Sequence, residues 1–167
     1  GSEMCIRDRW IKWPEALIGI NCEKSNLFVI DLDVKSANGI ENFKNLGIEH
    51  QGKAFHSKTP SGGWHIIFTG TGASTTNGTT GIDTRGKGGY FIAPPSEIKN
   101  GKHPGAYQKL KNEDWSGLPA EMPVDVIQKL SVDRSYGTYV GQTTNYDRNG
   151  EKRQLSRASQ NYIFSGA

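Results

Sequence analysis

The chain has 167 residues, 34% hydrophobic and 22% charged, with a formal net charge of +3. That length suits one domain, or one domain with an appendage. The 21 glycines suit a turn-rich α/β or α+β protein more than a helix bundle, and no apolar run is long enough to span a bilayer.

Gly1-Ser2 reads as an expression-vector scar. Residues 1–9 show no pattern and are expected to be unstructured. The segment 14–22, PEALIGINC, predicts a short strand, and EKSN turns the chain into a second strand at 27–34. SANGIENFKNLG (36–47) predicts a helix capped by Asn38. Ile40, Phe43 and Leu46 fall at helical spacing and Gly47 stops it. KAFHSK (53–58) and WHIIFTG (64–70) predict strands joined by the turn TPSGG. Residues 71–80 are a polar loop. Residues 81–93 predict a hairpin with strands at 81–85 and 89–93 around a Gly-rich turn, stopped by Pro94-Pro95. AYQKL (106–110) adds an edge strand. PAEMPVDVIQKL (119–130) predicts a helix from its leading proline and the spacing of Val124, Ile127 and Leu130. Residues 131–153 read as a polar linker, and the rest as the start of a helical extension that the chain cuts short. The expected core is thus one domain over residues 10–130.

The strand at 27–34 carries the first chemical signal. Phe28, Ile30, Leu32 and Val34 alternate with Val29, Asp31 and Asp33. A strand's side-chain period of two puts Asp31 and Asp33 on one face, ~7 Å apart. Two such carboxylates repel near a core unless a cation lies between them, and Mg²⁺ or Mn²⁺ is the natural partner for oxygen ligands. A bare D-x-D is ordinarily two surface acids, but the apolar flanks argue for a central strand. Asp83 in GIDTRG is a third candidate metal ligand, or else a turn residue. Ser61, with Gly62 and Gly63, offers a hydroxyl and approachable backbone N–H groups to an anion. His65 faces away from Trp64, Ile66 and Phe68 and can donate to a phosphate; a lone histidine in a sheet is more often simply packed there. Lys58, Arg85 and Lys87 can neutralise a triphosphate, although RGKGG is also an ordinary tight turn. No P-loop, dinucleotide fingerprint, zinc-protease motif or nucleophile elbow is present.

Two basic runs, Lys99, Lys102, Lys109 and Lys111, and Arg148, Lys152, Arg153 and Arg157, are candidate phosphate-facing patches or ordinary solvated surface. Tyr90, Trp64 and Tyr107 are candidate base-stacking aromatics, with core packing the favoured role of Trp64 and Tyr90. Cys5 and Cys22 form no paired motif, so neither a disulfide framework nor a cysteine zinc site is supported. A reducing, cytoplasmic location is expected.

In order, FVIDLDVK, TPSGGWHIIF and GIDTRGKGGYFIAPPS resemble the bifunctional DNA primase/polymerase (prim-pol) family of the archaeo-eukaryotic primase superfamily. The resemblance covers roughly residues 10–115. It implies an α+β primase catalytic core with an RRM-like, mostly antiparallel sheet flanked by helices. It implies two divalent ions on Asp31, Asp33 and Asp83, nucleotide phosphates on Ser61 and His65, and basic residues Arg85 and Lys87 beside them. The implied partners are single-stranded DNA template, primer and dNTP or rNTP. In a full-length prokaryotic, plasmid or phage replication protein, a helicase domain would follow. The family's turn before the first acidic strand commonly contains glycine; here it reads NCEKSN. The rival functions are a catalytically silent module that binds single-stranded DNA or a nucleotide, and a metal-dependent nuclease.

Overall fold

The computed structural model describes residues 2–48, 54–124 and 126–130, with side chains from residue 7 onward. The expected linker and extension, and the basic residues 148–157, lie outside the described residues. Two compact units divide the chain at Met122 and Pro123. The first holds every element named below except the helical residues 124 and 126–130.

The element order is α1 (Ser2–Lys12), β1 (Gly19–Asn21), β2 (Leu27–Leu32), α2 (Gly39–Asn45), β3 (Phe55–Lys58), β4 (Trp64–Thr69), β5 (Ile82–Arg85), β6 (Tyr90–Ile92), β7 (Glu97–Ile98), β8 (Gly105–Ala106) and β9 (Gln108–Lys109). The fold is α+β. Its centre is a five-stranded sheet ordered β5-β2-β4-β3-β9 in which every neighbouring pair is antiparallel. Two small sheets, β1-β6 and β7-β8, accompany it. No described helix is long and apolar enough to cross a membrane.

Register sorts the central sheet's side chains onto two faces. One carries Phe28, Ile30, Ile66, Phe68, Ile82 and Thr84, all buried, and α2 lies against it, with Phe43 buried. Asn38 caps α2 as expected, its Oδ1 accepting from the Glu41 N–H, and Gly47 follows the helix with φ 59°. The other face is divided along the strands. Val29, Ile67 and Phe55 form an apolar half, covered by Cys22, Phe91 and Ala93. Trp115 stacks on Phe55 with ring centroids 4.9 Å apart. The second half of that face is polar.

Four expectations are corrected. Residues 2–12 form a helix although they lack an apolar stripe; Glu, Met and Arg are intrinsically good helix formers. The two strands of 81–93 exist, but they do not pair with each other. β5 joins β2 and β6 joins β1, because the chain bends between them where Gly89 N–H donates to Gly86 O and Cys22 N–H to Gly89 O. Residues 119–122 are extended rather than helical, since the end of β4 takes their hydrogen bonds: Thr69 N–H donates to Ala120 O, and Met122 N–H to Thr69 O. Helix begins at residue 124. Finally, β2 stops at Leu32, which changes the setting of Asp33.

Candidate active site

The polar half is one row of cross-strand partners. Asp83 on β5 faces Asp31 on β2, Asp31 faces His65 on β4, His65 faces Ser57 on β3, and Ser57 faces Lys109 on β9. The register that pairs Phe28 with Phe68 and Ile30 with Ile66 on the opposite face therefore fixes this row too.

Asp31 and Asp83 share one cation. Arg85 Nη2 lies 3.0 Å from Asp31 Oδ2 and 2.9 Å from Asp83 Oδ2. The carboxylate side chains are 21% and 13% exposed, so neither is well solvated and the guanidinium offsets their repulsion. Asp83 Oδ1 also accepts the Asn77 backbone N–H at 2.7 Å. This comes from the polar loop 71–80, which folds back along β5 through reciprocal Thr75–Thr84 backbone hydrogen bonds of 2.9 Å. Asn77 is a site residue that sequence reasoning missed; a loop free of apolar residues carries no signal of what it will cover.

His65 is buried. Its Nε2 is 3.6 Å from Asp31 Oδ1, its ring stacks on Tyr107 with centroids 5.8 Å apart, and it meets Phe91 edge-on. Burial, opposed by Asp31 and reinforced by Arg85, holds the imidazole below its usual value of 6.5, so it is neutral at pH 7. Burial, with Asp31 and Tyr90, pushes the Tyr107 phenol above its usual 10.0. Burial likewise raises Cys22 to about 11 against the pull of Arg85, leaving a thiol and not a thiolate under the site.

Asp33 is not in the row. Its Oδ1 accepts the Lys35 N–H at 2.9 Å and its Oδ2 lies 3.5 Å from Lys35 Nζ. The expected single-strand platform for Asp31 and Asp33 is cut short: β2 ends at Leu32, one residue before Asp33, although the Asp33 N–H still donates to Gly81 O, and the Asp33 carboxylate engages the Lys35 backbone and side chain. Among the described residues, no group of three His, Cys, Asp or Glu side chains is gathered closely enough to hold a metal ion. The pair Asp31 and Asp83 nevertheless fits a hard cation in donor chemistry: two adjacent carboxylates already sharing a positive charge.

Ser61 sits in the turn between β3 and β4, its Oγ 3.1 Å from Thr59 Oγ1. That turn lies against the end of β2, for a Cβ on Gly63 would stand 2.2 Å from Leu32 O. Lys58 points to the other face of the sheet, since it pairs with Trp64, and so is not in the row; Ser57 holds the corresponding position on the near face. Lys87 is exposed just beyond β5. Of the candidate DNA-binding lysines, Lys99 Nζ bonds Glu15 and Lys109 Nζ donates to Glu113 O at 2.7 Å, while Lys102 and Lys111 are exposed. Trp64 is half-buried, whereas Tyr90 is 63% exposed, so core packing is not its role.

No curated protein matches the chain. Residues 2–124 match the family model described as bifunctional DNA primase/polymerase, N-terminal, which takes in the whole row from Ser57 to Lys109 together with both acids. The chain therefore belongs to the Prim-Pol family of DNA primase/polymerase domains.

Proposed function

We propose that this domain is a nucleotidyltransferase on a primase-type core, adding nucleotides to a primer on a single-stranded DNA template. The observation that carries the reading is the cross-strand pair Asp31–Asp83, beside a neutral histidine and under one arginine.

Asp31 and Asp83 would hold Mg²⁺ or Mn²⁺, with Asp33 as the flanking third acid. Divalent ions held there would supply Lewis acidity, lowering the pKa of a 3′-hydroxyl and neutralising charge on the triphosphate and pyrophosphate. The chain's own groups do the rest. His65 Nε2–H donates to a phosphate oxygen and orients the triphosphate. Arg85 exchanges its two carboxylates for phosphate oxygens, where its planar fork suits bidentate contact. Ser61, in the turn beside the C-terminal end of β2, adds a hydroxyl, and Lys87, beyond β5 toward the other end of the sheet, adds a charge. Exposed Lys102 and Lys111, and Tyr90 as a stacking surface, track the template.

The test is an oligonucleotide assay with Mn²⁺, with and without dNTPs. Asp31→Ala and Asp83→Ala are expected to abolish primer extension and leave single-strand binding largely intact. Extension at the normal rate in either variant refutes the metal assignment. DNA binding without incorporation identifies a silent binding module, and strand cleavage without dNTPs identifies a nuclease.

A further inference from the structure

The row contains two buried polar atoms that its chemistry has not used. Ser57 is 0% exposed, and among the described residues its Oγ has no hydrogen-bond partner. The same is true of Nδ1 of His65, a residue 6% exposed. These two residues are direct cross-strand partners on β3 and β4, so their side chains stand next to each other on one face. Cβ atoms of such partners are about 4.5–5.5 Å apart, close enough for a hydroxyl to meet a ring nitrogen after a χ1 rotation.

The direction of the hydrogen bond follows from the other side of the ring. Nε2 faces the Asp31 carboxylate, an acceptor only, at 3.6 Å. That neighbour favours the proton on Nε2. In a neutral imidazole Nδ1 then carries a lone pair and needs a donor. The flanking rings of Tyr107 and Phe91 offer faces and edges to the imidazole. Ser57 is the donor that the sheet register places at its side.

We propose that Ser57 is the positioning residue for His65: its hydroxyl donates to Nδ1, fixes the ring's orientation, and keeps the proton on Nε2, where it meets a nucleoside triphosphate. The effect on the nucleotide rests on the function proposed above; the tautomer does not. Ser57 touches no substrate and acts only through the histidine.

Nitrogen NMR of ring-labelled histidine in the whole chain at pH 8 tests this without any turnover. In the wild type His65 is expected as the Nε2–H tautomer, with Nδ1 shifted as a hydrogen-bond acceptor. Ser57→Ala is expected to move the Nδ1 resonance and to weaken dATP binding roughly tenfold, the scale of lost outer-shell support, with single-stranded DNA affinity unchanged. Ser57→Ala removes one buried hydroxyl and adds no bulk to the sheet, so the variant is expected to fold, which its melting curve checks. An Nδ1–H tautomer in the wild type, or an unmoved Nδ1 resonance in Ser57→Ala, overturns the proposal. So does unchanged dATP affinity. A chain that binds dATP but does not polymerise would refute the polymerase reading and leave this one standing.

Discussion

Replacing Arg85 with methionine removes the one charge that Asp31 and Asp83 share and keeps most of the side chain's volume. The common nitrogen, 3.0 and 2.9 Å from their oxygens, limits those oxygens to within about 6 Å of each other. Two unit charges at that distance repel by about 3 kcal/mol at an effective dielectric of roughly 20. In a chain of this size such a loss lowers the melting temperature by roughly 10 °C. Mn²⁺ at a hundredfold excess over its Kd returns ~2.7 kcal/mol to whatever state binds it. In EDTA, Arg85→Met should therefore melt well below the wild type, and Mn²⁺ should close most of the gap. The double variant Asp31→Asn/Arg85→Met should regain stability in EDTA and lose the Mn²⁺ response. Scanning fluorimetry with EDTA and then an Mn²⁺ titration reads all of this. If Arg85→Met melts like the wild type in EDTA, or Mn²⁺ raises both equally, the guanidinium is not holding the acids in place of a cation.

Two further outcomes follow from neighbouring geometry. Gly63→Ala would put a methyl 2.2 Å from Leu32 O, which is backbone and can move only with β2; a loss of about 1–3 kcal/mol is expected in urea unfolding, and a neutral result would show the turn free to shift. Glu113 ties the segment after β9 to β3. Burial raises its pKa, but hydrogen bonds from Trp115 Nε1 at 3.0 Å, from the His56 backbone N–H at 2.8 Å and from the His56 ring outweigh it and leave the carboxyl below its usual 4.5. A depressed carboxyl stabilises the fold above its unfolded value, and that contribution is lost as pH falls through the lower folded value. Glu113→Gln should thus be less stable than the wild type at pH 7, with the difference shrinking below pH 4.5; a difference independent of pH would refute the ionic role.

What the sequence reveals of this site is set by period, and what it hides is set by partner. Alternation along 27–32 and 64–69 assigns Asp31 and His65 to the face away from Phe28, Ile30, Ile66 and Phe68, and the sheet agrees. Which residue on another strand stands beside Asp31 is a question of register, settled by hydrophobic pairs on the far face and so not written locally. Ser57 was hidden for that reason, one position from the lysine that charge alone had singled out. Asp33 misled in the opposite way. Its spacing from Asp31 is right for a shared face, but an aspartate near a strand end can bond the backbone two residues on, as Asp33 does with the Lys35 N–H just past the end of β2. The Gly-rich stretch 86–89 misled because a tight turn is compatible with a hairpin or with a change of sheet, and only the long-range partners β1 and β2 decide between them.

The placement of Arg85 also determines how the acids can exchange partners. In register it stands opposite Val29, in the apolar half of the face, and its guanidinium reaches back to the acids two positions away. The acid pair is thereby assembled without any ligand and held at short range. On the proposed function, an incoming hard cation would take over oxygens already compensated by one positive charge; it would have to displace an existing ion pair, which would lower its affinity by that amount. The displaced guanidinium, anchored on β5, stays within a side chain's length of the carboxylates. A triphosphate arriving with its cations would suit both parts, giving the carboxylates their ions and the arginine an anion. A bare cation satisfies only the first. The physical expectation is thus that metal and nucleotide bind the row cooperatively, each lowering the cost of the other.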